Sequence, residues 1–583
     1  MISLSVSGKN WISKQFNSEE IDFFKTNYFL DEIVAKLLSI RKIKKEEISF
    51  FLKPLIKDIL PNPYILKDMD IAIERTEKAI IGKEKIGIFG DYDVDGATST
   101  AVLGKYFELL KIPFEIYIPD RKNEGFGPNK KGFSEFIDKG VKLIFTVDCG
   151  TLSYEPMDFA KGKNVDVIIL DHHQSETKLP SAHSIVNPNR FDDKSELNYL
   201  CAAGVCFMFL VALNKRLRDQ SWFSNMSIDE PELMDILDLV SLGTVCDVVP
   251  LIGLNRAIVS QGLKILKRKK NLGLKTLIEV CSIEKNITAH ELGYVLGPRI
   301  NAGGRVGKST HGANLLLNKS SKKTFQLALD LNTYNKERQI LESELLNKIL
   351  NTNYKNSSDP VIILDGINWH EGIIGIIAAR VKEKFNKPTI IISVDGKIGK
   401  GSGRSIHGFD LGSTVIGAVQ DGLLEKGGGH KMAAGFTINM EKLAEFKKFV
   451  FRKFSSINVN LEEKNNYYFD SEIAPSAVNI EFFEKINLLA PFGSGNPEPR
   501  FVIKHVKLVN SKIVGEKHIK IVLLGSDSTV LKAISFNTVE TELGSYLLKK
   551  NTKPFSIAGK LSLNEWRGQR NVEFIIDDIS VIK

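Results

Sequence analysis

Short apolar runs rich in β-branched residues recur through the first third of the chain, separated by stretches whose apolar positions return every three or four residues. KIGIFG, PFEIYIP, KLIFTV, VDVIIL and HSIVNP read as strands, while residues 68–81, ATSTAVLGKYFELL and the segments around Phe133 and Pro156 read as helices. Continuous apolar strands alternating with helices predict a parallel sheet covered on both faces, so the expected class is α/β with a doubly wound first domain. Residues 195–280 read as mainly helical, and a charged helix from about 322 to 350 is long enough to link two domains. A second α/β region opens at PVIILDG, with strand PTIIISV and a glycine-rich stretch over 399–435. After PFGSGNPEPRF, the strand-like runs KHVKLV, KIVLLG, LKAISF, FSIAGKL and VEFIID predict a small β-barrel of the OB type. The expected division is an N-terminal helical lead-in (1–65), a parallel α/β domain (66–275), a connecting helical region (276–350), a second α/β domain (351–458) and the barrel (465–583).

A length of 583 residues is too great for one ordinary core and agrees with several domains. A net charge of +9 permits a polyanionic partner without demonstrating one. No apolar run reaches the roughly 18 residues needed to span a bilayer. The start, MISLSVSGKNWISKQF, lacks the basic flank, apolar stretch and small-residue cleavage site of a signal peptide, so a cytoplasmic protein without membrane attachment is expected. Five scattered cysteines with no Cys-x-x-Cys pair argue for reduced thiols over a disulfide framework or a thiolate zinc site.

Four short acidic segments change the picture. Asp91, Asp93 and Asp95 lie in GDYDVDG directly after KIGIF; Asp148 lies in VDCG after KLIFT; Asp171, His172 and His173 follow VDVIIL; Asp247 ends GTVCD, after an apolar helix. Three of the four stand where a strand ends, which in an open parallel sheet is the side of the ligand crevice. Alternating carboxylates repel one another unless a cation neutralises them, and oxygen ligands with imidazole suit Mg²⁺ or Mn²⁺ better than zinc. Two such ions can hold a water and a phosphoryl group together, which predicts phosphoester hydrolysis. Singly, each segment has a plainer account: DYDVDG as a calcium loop or solvated turn, Asp148 and Asp247 as caps, a His pair as surface. Their joint occurrence in this order is harder to explain that way.

The order DYDVDG, VDCG, DHH, GTVCDVVPL resembles the DHH phosphoesterase superfamily. With GPRINAGGRVG, WHEGIIGIIAAR, GSGRS and GGHKMAAG, it resembles the RecJ single-stranded-DNA exonuclease branch over nearly the whole chain. The resemblance implies that the 66–275 unit is a DHH domain and the 351–458 unit a DHHA1-like domain. It implies two bound Mn²⁺ or Mg²⁺ ions, with Asp91, Asp93, Asp95, Asp148, His172 and Asp247 at metal-ligand positions and Asp148 as the bridge. His173 then contacts the scissile phosphate or the leaving oxygen, and Asp171 orients a histidine. One departure stands out: many small relatives have a histidine ligand four residues before the middle acid, where this chain has Phe89.

For the substrate, Arg299, Asn301 and Arg305 surround three glycines in GPRINAGGRVG, a pattern that lets backbone and arginine approach a phosphate, or that makes a turn with surface arginines. Residues 401–405, with Ser402 and Arg404, and residues 427–430, with Gly429 and His430, read as anion-binding loops. Under the resemblance, Ser402, Arg404 and Arg121 are candidates for a terminal 5′-phosphate pocket. His370 is a further substrate-side candidate, although it and Arg380 flank a helix suited to packing domains together. Trp566, beside Arg567 and Arg570, suits base stacking or a merely structural hairpin. The expected activity is hydrolysis of single-stranded DNA from its 5′ end to 5′-mononucleotides in recombination and repair, beside a helicase and a single-strand-binding protein. The rivals are a small-substrate phosphoesterase acting on pyrophosphate, oligonucleotides or cyclic dinucleotides, and a non-catalytic DNA-binding scaffold. The long second half opposes the first, and the complete set of acids opposes the second.

Overall fold

The first strand, β1 (Asn10–Ser13), does not join the sheet that follows it in sequence. It pairs in parallel with a strand near the other end of the chain, Asn10 opposite Asn466 and Ser13 opposite Phe469. This computed structural model describes residues 5–284, 286–351, 359–457, 466–549, 553–566 and 568–581. Helices Ser18–Tyr28 and Glu32–Ile40, read from sequence as part of a lead-in, bury Ile21, Phe24, Val34, Leu37 and Leu38 in the same core as Phe501, Ile519, Phe555 and Phe574 of the C-terminal barrel.

The first sheet contains β2 (Ile86–Gly90), β3 (Phe114–Tyr117), β4 (Leu143–Val147), β5 (Asp166–Leu170) and β6 (Ser184–Val186). All pair in parallel, in the spatial order β3-β2-β4-β5-β6. Strand alternation sorts its apolar residues. Ile86, Ile88, Phe145, Ile168 and Leu170 enter a core shared with helices Met69–Ile81, Val94–Leu109 and Ala202–Asp219. Phe89, Ile144, Val167 and Ile169 enter another core with Phe133, Phe136, Met157 and Ala160 of helices Lys130–Asp138 and Tyr154–Gly162. The sheet is thus covered on both faces, and the connections reverse direction between β2 and β4. That reversal opens a crevice at the strands' carboxyl ends.

Helix Ser321–Leu350 leads to the second sheet. It contains β7 (Ile362–Ile367), β8 (Thr389–Asp395), β9 (Ile398–Arg404), β10 (Lys426–His430) and β11 (Ala433–Asn439), in the order β10-β11-β9-β8-β7. Only β7 and β8 are parallel. Two glycine-rich segments read as loops are therefore strands. In β9, Gly399, Gly401 and Gly403 share one face, where a β-carbon on Gly401 would come within 2.2 Å of the Phe436 ring and one on Gly403 within 2.5 Å of Leu411. The glycines admit core side chains, and period-two alternation sends Lys400, Ser402 and Arg404 to the opposite face.

The remaining strands are β12 (Asn466–Phe469), β13 (Ser471–Glu472), β14 (Phe501–Val514), β15 (His518–Leu524), β16 (Val530–Ser535), β17 (Phe555–Trp566) and β18 (Gln569–Val581). Pairing runs β14-β15-β16-β18-β17 and returns from β17 to β14, closing a five-stranded barrel. At its junction with the catalytic unit, the buried Arg256 guanidinium donates to the carbonyls of Phe51 (2.9 Å), Leu489 (2.9 Å), Ala490 (2.8 Å) and Pro491 (3.4 Å). One side chain thereby ties the N-terminal segment and the approach to the barrel onto helix Gly253–Leu266.

Candidate active site

The four acidic segments meet at the crevice. Asp91 follows β2, and Asp93 caps helix Val94–Leu109 by accepting the Gly96 N–H at 3.0 Å. A β-carbon on Gly96 would lie 2.5 Å from the Asp91 carbonyl oxygen, so only glycine lets this turn close so tightly. Asp148 follows β4 with a left-handed backbone (φ 60°), which aspartate tolerates better than most residues, and its N–H donates to the Leu170 carbonyl at 3.1 Å. Asp171 and the two histidines follow β5, and Asp247 caps the C-terminus of helix Leu237–Cys246.

His172 Nε2 lies 3.2 Å from Asp148 Oδ1 and 3.8 Å from Asp95 Oδ2, while its Nδ1 lies 3.6 Å from Asp247 Oδ2. Three overlapping groups have ligand atoms all within 4.8 Å of one another: Asp91, Asp93 and Asp148; Asp148, His172 and His173; Asp95, His172 and Asp247. Asp148 and His172 each belong to two of them. Burial together with the Asp93 charge pushes Asp91 and Asp148 well above the usual carboxylate range, and burial with Asp95 and Asp93 pushes Asp247 up to about 9. Asp91 Oδ1 is buried without a hydrogen-bond partner. Crowded carboxylates and an orphaned oxygen are what a site for hard divalent cations looks like, and the donor set of oxygens with imidazole fits Mn²⁺ or Mg²⁺.

The acids are not equivalent. Both Asp95 oxygens already accept backbone N–H groups, from Ala202 at 2.6 Å and Ala203 at 3.0 Å, so its carboxylate holds the N-terminus of helix Ala202–Asp219. Burial would raise Asp171, yet the His173 imidazole and the Thr151 hydroxyl, donating at 2.8 and 2.7 Å, hold it far below the usual range. Burial lowers His173, but Asp171 outweighs this and lifts it to about 9, so the ring is held as an imidazolium with its Nδ1–H toward Asp171. Phe89, at the position of the missing histidine, cannot act from this strand. Its buried ring stacks on Tyr117 at 5.2 Å and packs edge-on to Phe133, inside the core shared with helices Lys130–Asp138 and Tyr154–Gly162.

The residues expected to hold substrate divide into two sets. Arg121 acts on both Arg305 and Arg404: burial and then Arg121 lower Arg305, to about 10, and burial and then Arg121 lower Arg404. Arg121 lies over the Tyr92 ring at 5.2 Å. Ser402 and Arg404 face helix Glu371–Phe385, where a β-carbon on Gly375 would come within 2.9 Å of Ser402 Oγ and 3.1 Å of Arg404 Nη2. His370 caps that helix, its Nδ1 accepting the Gly372 N–H at 3.1 Å, and its imidazole is lowered by burial and then by Lys122. His430 and Gly429 end β10, and burial and then the His173 charge lower the His430 imidazole.

Arg299 turns elsewhere, donating to Asn332 Oδ1 (2.9 Å) and the Val295 carbonyl (2.7 Å) beside the linking helix. Asn301 is half-buried on the same element. That element, GPRINAGGRVG, is not a glycine loop but helix Gly297–Val306, and its glycines serve packing: a β-carbon on Gly304 would lie 2.8 Å from the Tyr92 carbonyl. Trp566 ends β17, and its side chain and all of Arg567 lie outside the described residues.

Sequence reasoning missed the supports. Asn187, fully buried after β6, donates to Thr151 Oγ1 and to the His173 carbonyl, both at 2.9 Å, and Asn189 donates to the His172 carbonyl at 2.5 Å. NPN at a strand's carboxyl end carried the same positional signal as the acids. Phe126, 57% exposed, packs edge-on to His173 at 5.6 Å and to Tyr92 at 6.4 Å.

Three family models match in chain order: the DHH family, N-terminal domain (residues 85–244), the DHHA1 domain (358–456) and the RecJ OB domain (469–578). The single-stranded-DNA-specific exonuclease RecJ of Dickeya dadantii is 33% identical over 87% of this chain and 89% of its own length. The protein of that name from Escherichia coli K12 is 33% identical over 90% of this chain and 92% of its own. Among solved structures, RecJ of Thermus thermophilus in complex with Mn²⁺ superposes with a TM-score of 0.80 at 26% identity, covering 98% of this chain and 79% of that one.

Proposed function

Because this chain belongs to the RecJ family of single-stranded-DNA-specific exonucleases, we propose that it removes 5′-mononucleotides from the 5′ end of single-stranded DNA at the centre built around Asp148. It is a metal-dependent exonuclease. The observation that carries the site is the sharing of Asp148 and His172 among three groups of closely spaced ligand atoms. Asp91, Asp93 and Asp148 would hold one divalent ion, and Asp148, His172 and Asp247 a second. Ions so held supply charge neutralisation and Lewis acidity at a phosphodiester.

The chain's own groups do the rest. Asp95 anchors the helix behind the acids through its two N–H acceptors. Asp171 holds His173 in its charged form by accepting the Nδ1–H, and the Nε2–H of that imidazolium donates to an oxygen of the scissile phosphate. Arg121, Ser402 and Arg404 hold the terminal 5′-phosphate, which sets the polarity by placing the first phosphodiester at the cluster, and Arg305 with His370 and His430 lines the approach. The acids lie on the first α/β domain and Ser402, Arg404, His370 and His430 on the second, so the strand passes between the two, through a space that favours one strand over a duplex. On this reading the enzyme works in the cytoplasm in DNA recombination and repair, on strands opened by a helicase and shared with a single-strand-binding protein. No helix among the described residues is long and apolar enough to cross a membrane.

The test is end-labelled single- and double-stranded DNA incubated with Mn²⁺ or with EDTA, with products sized over time. Mononucleotides released from the 5′ end of single strands only, and only with metal, are expected. Metal-independent release, or release from the 3′ end, refutes the reading.

A further inference from the structure

We propose that Tyr294, stacked on His290, is a platform on which one base of the single strand stacks between the barrel and the acidic centre. The inference rests on the preceding reading that single-stranded DNA is the substrate. Tyr294 is 75% exposed, and its ring stacks on that of His290 at 4.8 Å with 27° between planes. Such a pair leaves a broad π face in water, which sequence-tolerant binding of bases uses. Tyr294 sits on a single π-helical turn, Leu292–Leu296, and His290 on the short helix Ala289–Glu291 just before it, with helix Gly297–Val306 following. A π turn is an irregularity that recurs at functional sites.

The position is continuous with the active site on one side. A β-carbon on Gly293 would lie 3.3 Å from Val245, and one on Gly297 would lie 2.4 Å from Cys246 Sγ, so the turn is pressed onto the two residues preceding Asp247. Just past Asp247, Val248 is 68% exposed with φ 62°, a backbone that β-branched residues rarely adopt. On the other side the platform adjoins the barrel's approach. Ala289 packs with Leu251, whose N–H donates to the Ser494 carbonyl at 2.8 Å. A strand running from barrel to acids along this rim crosses the Tyr294 ring.

The test scans 2-aminopurine through an oligothymidylate of about 20 nucleotides and reads binding and fluorescence in EDTA, so that nothing depends on hydrolysis. The unmutated protein should quench the probe strongly at one interior position. Tyr294→Ala should abolish that quench and weaken binding by about tenfold, while Tyr294→Phe should retain both. Unchanged quenching and affinity in Tyr294→Ala, or a Tyr294→Phe variant as weak as the alanine, overturns the proposal. A protein that shows the quench yet digests no DNA with Mn²⁺ contradicts the exonuclease reading instead.

Discussion

Asp171 accepts the Nδ1–H of His173 at 2.8 Å while its other oxygen takes the N–H and hydroxyl of Thr151, at 3.1 and 2.7 Å. The carboxylate is saturated by the protein and acts through the imidazole it aims. Asp171→Asn should therefore lower kcat by about 10- to 100-fold while leaving DNA affinity in EDTA nearly unchanged. Single-turnover rates beside equilibrium binding check this. A large loss of affinity with intact kcat would contradict it.

Asp148 is shared by two ligand groups, so its removal damages both at once. Asp148→Ala should cost about a thousandfold or more in digestion rate and keep single-strand binding in EDTA, separating chemistry from capture.

Mutual repulsion among buried acids is relieved by a bound cation, and binding to the folded state alone stabilises it. Adding Mn²⁺ at about 100 times its dissociation constant should stabilise the fold by about 2.7 kcal/mol and raise Tm, EDTA should reverse the shift, and Asp148→Ala should weaken it. Calorimetry with and without metal reads this directly.

Arg404 lies beside Ser402 and within the field of Arg121. Arg404→Ala should raise KM for 5′-phosphorylated strands by about 10- to 100-fold, from the loss of charge-assisted hydrogen bonds, and much less for 5′-hydroxyl strands. Equal effects on both ends would place the phosphate elsewhere.

Arg256 serves four backbone carbonyls, with no carboxylate in its hydrogen-bond set among the described residues. Arg256→Lys replaces a planar fork by a point charge that cannot span them, so it should behave nearly as badly as Arg256→Met, lowering Tm in both cases. Differential scanning calorimetry distinguishes this from a simple charge requirement, in which lysine would rescue.

The clustering of the acids was legible because two rules act on single positions: a strand ends, and the next residue faces the crevice. Asp91, Asp148 and Asp171 follow from that, and Asn187 would have too. The glycine segments were not legible, because G-K-G-S-G-R has the composition of a loop and becomes a strand only once Phe436 and Leu411 supply the partners that its bare face accepts. Helix Gly297–Val306 misled for the same reason, its glycines answering to Tyr92 and Cys246, which no local pattern contains. Arg299 and Arg305 looked interchangeable in sequence, and only the helix's rotation sends one to Asn332 and the other toward Arg121 and the Gly372 carbonyl.

The pairing of Asn10 with Asn466 has a consequence for synthesis. The helices that bury Phe24 and Leu38 against the barrel leave the ribosome long before any barrel strand exists. Translation must hold these greasy surfaces without a mate until the barrel emerges. Slowing elongation within the 466–581 segment should therefore increase recruitment of holding chaperones to nascent chains, because helices made first wait on strands made hundreds of residues later.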